Sequence, residues 1–282
     1  MQKPDIRLLN IEGYTPVDMH FHSKHVDGAH SINQILRRAK KKNLGVAVTD
    51  HHTISGSLEA LEKAKEKGVL VIPGIEIAVF EGPHLLFYFH GKDDMKEFHE
   101  KYVKDFVKYK SGRSRISIAK YVELAEDYNC LMSVAHPGER WISNLFKCLQ
   151  TYNLKELLEK IYALEVINGL NSQLSNISSI FAARNLKTRI TGGSDGHNVL
   201  ALGKVVTSSY GNNVDDFLES IRNRQNNVIG RPIGIFAKKF LYGSGAIKHN
   251  FLEARKLWRP SAQWELLKYL KLQVGSYLNG RR

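Results

Sequence analysis

The sequence predicts an α/β fold in which strands and helices alternate into a β/α barrel, followed by a basic helical extension. Three observations predict it. From Val17 onward, short apolar runs alternate with longer stretches of helical period, the pattern of successive β/α units with largely parallel strands. Roughly seven or eight such units in about 230 residues suit a barrel better than an open sheet. Composition then shifts after Ile235: residues 236–282 hold six Lys and four Arg against two Glu.

Thr15–His20 is the first predicted strand. Ser31–Lys42 is a helix, with Ser31 in the N-cap position. Leu44–Thr49 (LGVAVT) is a buried strand, and Ser57–Lys67 a helix closed by Gly68. Val69–Ile72 is a strand that runs into Pro73-Gly74, and His84–His90 is another apolar strand. Helices follow near Met95–Lys110 and Ile116–Tyr128. The remaining strands are Leu131–Ala135, Ala163–Ile167, Thr188–Thr191 and Lys204–Thr207, separated by helices near Leu154–Lys160 and Gln173–Arg184. A last helix covers Val214–Arg224, and Gly230, Pro232 and Gly234 form the joint to the extension. The expected division is therefore a barrel over 1–235 and an extension over 236–282.

The chain has 282 residues, 43% hydrophobic and 24% charged, an ordinary balance for a folded globular protein. Its formal net charge of +13 favours polyanionic partners: nucleic acid, phosphorylated substrates or an anionic membrane surface. The two cysteines, Cys130 and Cys148, lack CxxC spacing, which argues against a thiolate zinc site. Met1–Asn10 has no apolar core of the signal-peptide kind, and no run of about 18 apolar residues appears. A cytoplasmic location is expected.

Histidines and carboxylates gather at predicted strand ends. His20 and His22 form an H-x-H pair on an extended segment, where alternation points both imidazoles to one side. Asp27 follows in a turn permitted by Gly28. His51 lies in T-D-H-H after the second strand, Glu76 in P-G-I-E, and His136 in A-H-P-G after LMSVA. Asp195 and His197 follow the glycine-rich turn Thr191–Ser194, and His84 is a further candidate. Any one histidine is more often a hydrogen-bonded structural residue than a ligand. The whole series at successive strand ends is different, because barrel strands deliver their ends to one mouth. Imidazole with carboxylate suits zinc, manganese or iron. About nine ligands exceed the three that one catalytic zinc takes from protein, which points to two or three ions.

These motifs resemble those of the PHP (polymerase and histidinol phosphatase) family, over residues 15 to about 210. The resemblance implies a distorted, TIM-like (β/α)7 barrel with up to three metal ions, and metal-dependent phosphoesterase activity. His20 and His22 match the first-motif ligands, His51 the ligand in T-D-H, Glu76 the bridging carboxylate and His136 the ligand in A-H-P-G. Asp27 matches the Asp of the S-D-G turn, although His25, in K-H-V-D-G, competes with it. His84 matches the family's H-[IL]-L-G-Y histidine, with Phe87 in place of the glycine. Asp195 and His197 match the final S-D-x-H pair.

The chemistry expected of such a site is in-line attack on phosphorus by a hydroxide that the ions bridge. Glu76 and Asp195 would hold the ions, and His51 or His197 would protonate the leaving oxygen. Arg115 and Arg140 are the candidates for the non-bridging phosphate oxygens; Arg113 reads more simply as a surface charge. Glu165 and Asn168, in E-V-I-N-G, resemble a segment that supports ligands from behind. The substrate expected is a small phosphomonoester. The alternatives are a nuclease acting on RNA or DNA, a protein-tyrosine phosphatase, and a binding module on a degenerate barrel, against which the full ligand set weighs. In the extension, Trp264, Leu267, Leu270, Val274 and Tyr277 recur at helical spacing. Packing on the barrel or on a second subunit is the first reading of that stripe. Peripheral contact of 251–282 with an anionic membrane or nucleic acid is the second. Oligomeric state is left open.

Overall fold

The computed structural model describes residues 12–107, 112–138, 145–152, 154, 156–234 and 237. The described strands are β1 (Tyr14–Phe21), β2 (Gly45–Val48), β3 (Val71–Ala78), β4 (His84–Tyr88), β5 (Leu131–Val134), β6 (Ala163–Asn168), β7 (Arg189–Gly193), β8 (Val205–Tyr210) and β9 (Asn226–Gly230). The helices are α1 (Ile32–Lys42), α2 (Ser55–Lys67), α3 (Lys92–Tyr102), α4 (Ile118–Asp127), α5 (Leu145–Thr151), α6 (Leu157–Lys160), α7 (Gln173–Leu186) and α8 (Val214–Arg222). One sheet runs β7-β6-β5-β4-β3-β2-β1-β8-β9 and curls until β7 returns to β1.

Local chemistry explains most boundaries. At the start of α1, Gln34 accepts from the Ser31 N–H at 3.0 Å, and Asn43 ends the helix in the left-handed region. Ile32, Ile35, Leu36 and Ala39 recur on one face and are buried, against Phe21, Val46, Val48 and Leu202. Gly68 closes α2 with φ +59, a conformation glycine adopts without a Cβ penalty. β3 runs through Pro73 and Gly74, where the sequence suggested a break. Proline has no N–H to give, and the continuous pairing of β3 with β2 ends at the Val48–Pro73 step. The Pro73 carbonyl still accepts from Phe89 N–H at 2.9 Å.

The strands are less uniformly parallel than expected. β1–β2, β2–β3, β5–β6 and β6–β7 are parallel, while β3–β4, β4–β5, β1–β8 and β8–β9 are antiparallel. The reason for β4 is the short link 79–83, which can turn the chain back but cannot carry a crossover. β4 therefore enters at the end where its neighbours leave. β9 was not foreseen: NNVIG has no apolar run, and its residues are only half-buried beside β8. α5 was likewise unforeseen, and the helix expected to reach residue 110 ends at Tyr102.

Closure is made at a seam. Past the ends of the strands, Phe21 and Gly196 form an isolated parallel bridge, and Asp195 N–H donates to the His20 carbonyl at 2.8 Å. Deeper in the wall, β8 is wedged beside β1, and the Thr207 hydroxyl accepts from Gly192 N–H at 2.9 Å and donates to Gly192 O at 3.0 Å. The glycine turn permits this approach, since a Cβ on Gly193 would stand 2.4 Å from the His20 backbone nitrogen. The result is a mixed α/β barrel, nearly closed. Val17, Met19, Ala47, Ile72, Leu86, Tyr88 and Leu131 form an apolar cluster with Phe217, Leu218 and Ile221 of α8. His90, past the end of reversed β4, meets Asp215 of α8 at 2.7 Å, which places α8 at the end opposite the strand C-termini. No helix among the described residues is long and apolar enough to cross a membrane. The boundary expected at residue 235 and the helix stripe of the extension lie outside the described residues.

Candidate metal centre

At the mouth formed by the parallel strands' C-terminal ends, the side chains of eight strand-end positions and one turn converge. β1 delivers His20 and His22, both buried. β3 delivers Glu76, only 1% exposed. His51 follows β2 and bridges back to Glu76. His84 opens β4 and pairs in register with Ala78, so reversal of that strand puts its first residue, not its last, at the mouth. His136 follows β5, and Asp195 and His197 follow β7. His136 and Asp195 hold positive φ angles, +33° and +51°, a backbone cost more common at functional sites than elsewhere.

The distances define one cluster. Glu76 Oε2 lies 3.3 Å from His20 Nε2, 3.3 Å from His22 Nε2 and 3.2 Å from His51 Nδ1. Glu76 Oε1 lies 3.0 Å from His84 Nδ1 and 3.4 Å from His136 Nε2. Asp195 Oδ1 is 3.2 Å from His22 Nε2 and 3.5 Å from His20 Nε2. Asp27 Oδ2 is 3.1 Å from His197 Nε2 and 3.9 Å from His51 Nε2, and Asp27 Oδ1 is 3.5 Å from His22 Nδ1. Four overlapping triads have ligand atoms close enough to share an ion: His20–His22–Glu76, His22–Asp195–His197, His22–Asp27–His51 and His51–Glu76–His84.

The donor set fits divalent cations on two counts. Glu76 Oε2 is buried and accepts no hydrogen bond among the described residues, although three imidazole nitrogens crowd around it. The nitrogens of His20 and His22 approach to 3.2 Å. Ligand atoms bound at about 2.0–2.2 Å to one ion stand roughly 3.0–3.5 Å apart, so this spacing matches the edges of a coordination shell.

Charge follows the same pattern. Burial opposes ionisation of Glu76, yet His51, His20 and His84 hold it well below the usual carboxylate range. Asp195 is held down likewise by His20 and His22. Burial works against a charged His20, but Asp195, Glu76 and Glu165 outweigh it and raise its pKa. His51 goes the other way: burial, with His22 and His84 nearby, pushes it down to about 3. His197 rises to about 9, because the Asp27 hydrogen bond and the Asp195 charge overcome burial.

Several neighbours orient the clustered side chains. Glu165, buried, accepts from His20 Nδ1 at 3.0 Å, which turns Nε2 into the cluster. Its other oxygen accepts from His136 N–H at 2.8 Å and from Asn168 Nδ2 at 2.9 Å. Asn168 Nδ2 also donates to Asp195 Oδ2 at 3.1 Å. The Asp195 carbonyl lies 3.1 Å from His197 Nδ1. Asp18 and Asp50, which stand in the same motifs as the histidines, were not singled out from sequence and do not face the cluster. Asp18 binds Ser194 and Gly203, and Asp50 binds Ser23. Their position beside His20 and His51 was the available signal. His52 is also close, buried at φ +53, and its carbonyl lies 3.3 Å from His99 Nε2.

All nine residues expected as ligands thus come together. His25, the competitor of Asp27, pairs instead with Glu59 at 2.7 Å. Arg115 does not join the site: its guanidinium donates to the Asp105 carbonyl at 2.6 Å in an exposed turn. The surrounding backbone explains this, since Arg115 N–H is itself tied to Phe106 O at 2.9 Å. Arg140 lies outside the described residues.

Comparison with known proteins points the same way. The family model described as PHP domain matches residues 18–189, and that described as PHP-associated matches residues 173–226. The chain is 35% identical over 69 residues to the 3',5'-nucleoside bisphosphate phosphatase of Chromobacterium violaceum, a stretch covering 24% of each protein. Among solved structures, a two-domain protein of Bacteroides vulgatus containing a predicted PHP-like metal-dependent phosphoesterase superposes with TM-score 0.56 at 17% identity, over 82% of this chain and 68% of that one. The lesion-specific endonuclease PfuEndoQ of Pyrococcus furiosus superposes with TM-score 0.59 at 20% identity, over 76% of this chain and 57% of that one. At such identities the likeness speaks to the fold.

Proposed function

The chain belongs to the PHP family, and from that premise we propose that it is a metal-dependent phosphoesterase whose substrate is a small phosphomonoester. The observation that carries this reading is the crowding of His20, His22 and His51 nitrogens around a buried Glu76 oxygen that accepts no hydrogen bond among the described residues. Two or three ions of zinc, manganese or iron would be held by His20, His22, Asp27, His51, Glu76, His84, His136, Asp195 and His197. Such ions, when bound, supply an activated water at neutral pH and offset charge on the entering and leaving oxygens.

The protein's own groups do the rest. Glu76 and Asp195 bring fixed negative charge into the cluster, and Glu165 holds His20 in one tautomer. His51 and His197 are 20% and 23% exposed, at the rim where a leaving group departs. A nitrogen that ligates an ion cannot also release a proton, so if His51 or His197 serves as the acid it leaves the ligand set, and the other eight residues would hold the ions. The phosphate oxygens would be met at the same rim.

Metal analysis of the purified protein, then a panel of nucleotides, sugar phosphates, histidinol phosphate, phosphotyrosine peptide and short RNA, tests the reading. Bound divalent ions and turnover of one small ester are expected. The net charge of +13 favours a second reading, a nuclease. Degradation of RNA or DNA with no small-ester turnover would select it, and the basic stretch 236–282 would then add affinity for the polyanion. A protein that takes up no divalent ion would end both readings.

A further inference from the structure

Asp18 and Asp50 are fully buried carboxylates, and among the described residues neither forms an ion pair. Burying an uncompensated carboxylate is costly, so what they bind matters. Asp50 accepts from Ser23 twice, from the backbone N–H at 2.6 Å and from the hydroxyl at 2.6 Å. Ser23 is the root of the turn that carries Asp27: its carbonyl accepts from Val26 N–H at 3.2 Å and Gly28 N–H at 2.9 Å. Its hydroxyl oxygen also accepts from His25 N–H at 3.2 Å. Asp18 repeats the device across the seam. Its Oδ1 accepts from Ser194 N–H at 2.8 Å and, more distantly, from His20 N–H at 3.4 Å; its Oδ2 accepts from the Ser194 hydroxyl and from Gly203 N–H at 2.8 Å. Ser194 and Gly203 bracket the loop that carries Asp195 and His197, so one carboxylate ties both ends of that loop.

We infer that Asp18 and Asp50 are positioning residues, and that each of two carboxylate–serine clasps sets a different half of the cluster. The Asp50–Ser23 clasp fixes Asp27 over His22 and His51, and the Asp18–Ser194 clasp fixes Asp195 and His197 over His22. A carboxylate suits this task better than an amide. It accepts from every donor with both oxygens, and it leaves a negative charge behind the cations. Packing agrees: a Cβ on Gly56 of α2 would stand 2.1 Å from Asp50 Oδ2 and 2.7 Å from Ser23 Oγ, so the helix closes directly on the first clasp. The inference rests on the metal reading above.

The test titrates cobalt(II) into the full chain, following its visible absorption, with the melting temperature in chelator measured alongside. The variants are Ser23→Ala, Asp50→Asn and their double, and Ser194→Ala, Asp18→Asn and their double. Each single change should weaken one class of cobalt site by about 10–100-fold and leave the other class near the wild-type value. Within a clasp the double should be no worse than the Asp variant, because both changes break the same hydroxyl–carboxylate bond. One change from each clasp should weaken both classes of site. Unchanged cobalt affinity in Ser23→Ala and Ser194→Ala would overturn the inference while leaving the metal reading intact. So would a uniform loss at all sites that tracks the drop in melting temperature, since that is general loosening. A wild-type chain that takes no cobalt, zinc or manganese would overturn the metal reading itself.

Discussion

The two ends of the barrel solve opposite problems with the same strands. At the mouth, polar side chains are buried in number and three residues, His52, His136 and Asp195, sit at positive φ. At the other end, Val17, Met19, Ala47, Ile72, Leu86 and Tyr88 meet Phe217, Leu218 and Ile221 of α8 in an apolar plug. The first arrangement costs stability, in backbone strain and in desolvated charge. The second contributes it, at about 1.5–3 kcal/mol for each large side chain removed from water. One strand, β1, serves both: Val17 and Met19 face the plug, and its far end delivers His20 to the mouth. The contrast teaches that function and fold occupy separate layers of the barrel, so substitutions in one layer should spare the other.

The largest expected effect is His20→Ala with His22→Ala. Bound metal and turnover should fall to background in elemental analysis and ester assay. In chelator, the melting temperature of the variant should fall, because Glu76, Asp195 and Glu165 lose buried imidazole partners, but the chain should stay folded on its apolar plug. A variant that unfolds even without metal would break the separation of layers. Next is Phe217→Ala, which opens a cavity under the barrel. A loss of about 3–5 kcal/mol is expected from denaturant unfolding, with metal stoichiometry and turnover per folded molecule unchanged. Third is Glu165→Gln, which keeps the shape but removes the charge that orients His20. A fall in metal affinity of about 10–100-fold is expected by competition with a chelator.

The two layers were not equally legible in the sequence. The mouth was readable because its residues are chemically rare: histidines and carboxylates at strand ends carry a signal that no core position imitates. All nine ligand candidates converge, and apolar alternation sufficed for the barrel. What escaped was set by backbone rather than by side-chain type. The reversal of β4 follows from the short link 79–83, and it moves His84 from the wrong end of its strand to the mouth. β9 escaped because an edge strand needs no apolar run. The roles of Asp18 and Asp50 escaped because the sequence does not show which serine each carboxylate reaches: Ser194 is distant from Asp18 by 176 positions and Ser23 from Asp50 by 27. Arg115 misled for the same reason: a polar break names an accessible cation, but the bond to Asp105 O that aims it elsewhere has no trace in sequence.

The smallest expected effect is also the one that locates the border between the layers. Tyr88 is fully buried in the apolar plug, yet its hydroxyl donates to the Met19 carbonyl at 2.8 Å, one residue before His20. Tyr88→Phe keeps the ring and leaves that carbonyl without its donor. A buried hydrogen bond of this kind contributes about 0.5–1.5 kcal/mol, so the free energy of unfolding should fall by that amount. Metal affinity should change by less than about twofold, because the His20 ring is held by Glu165 and its carbonyl by Asp195 N–H. A loss of affinity as large as that of Glu165→Gln would mean that the Met19 carbonyl is part of what aims His20. The border would then lie below Met19, and the plug would belong in part to the site.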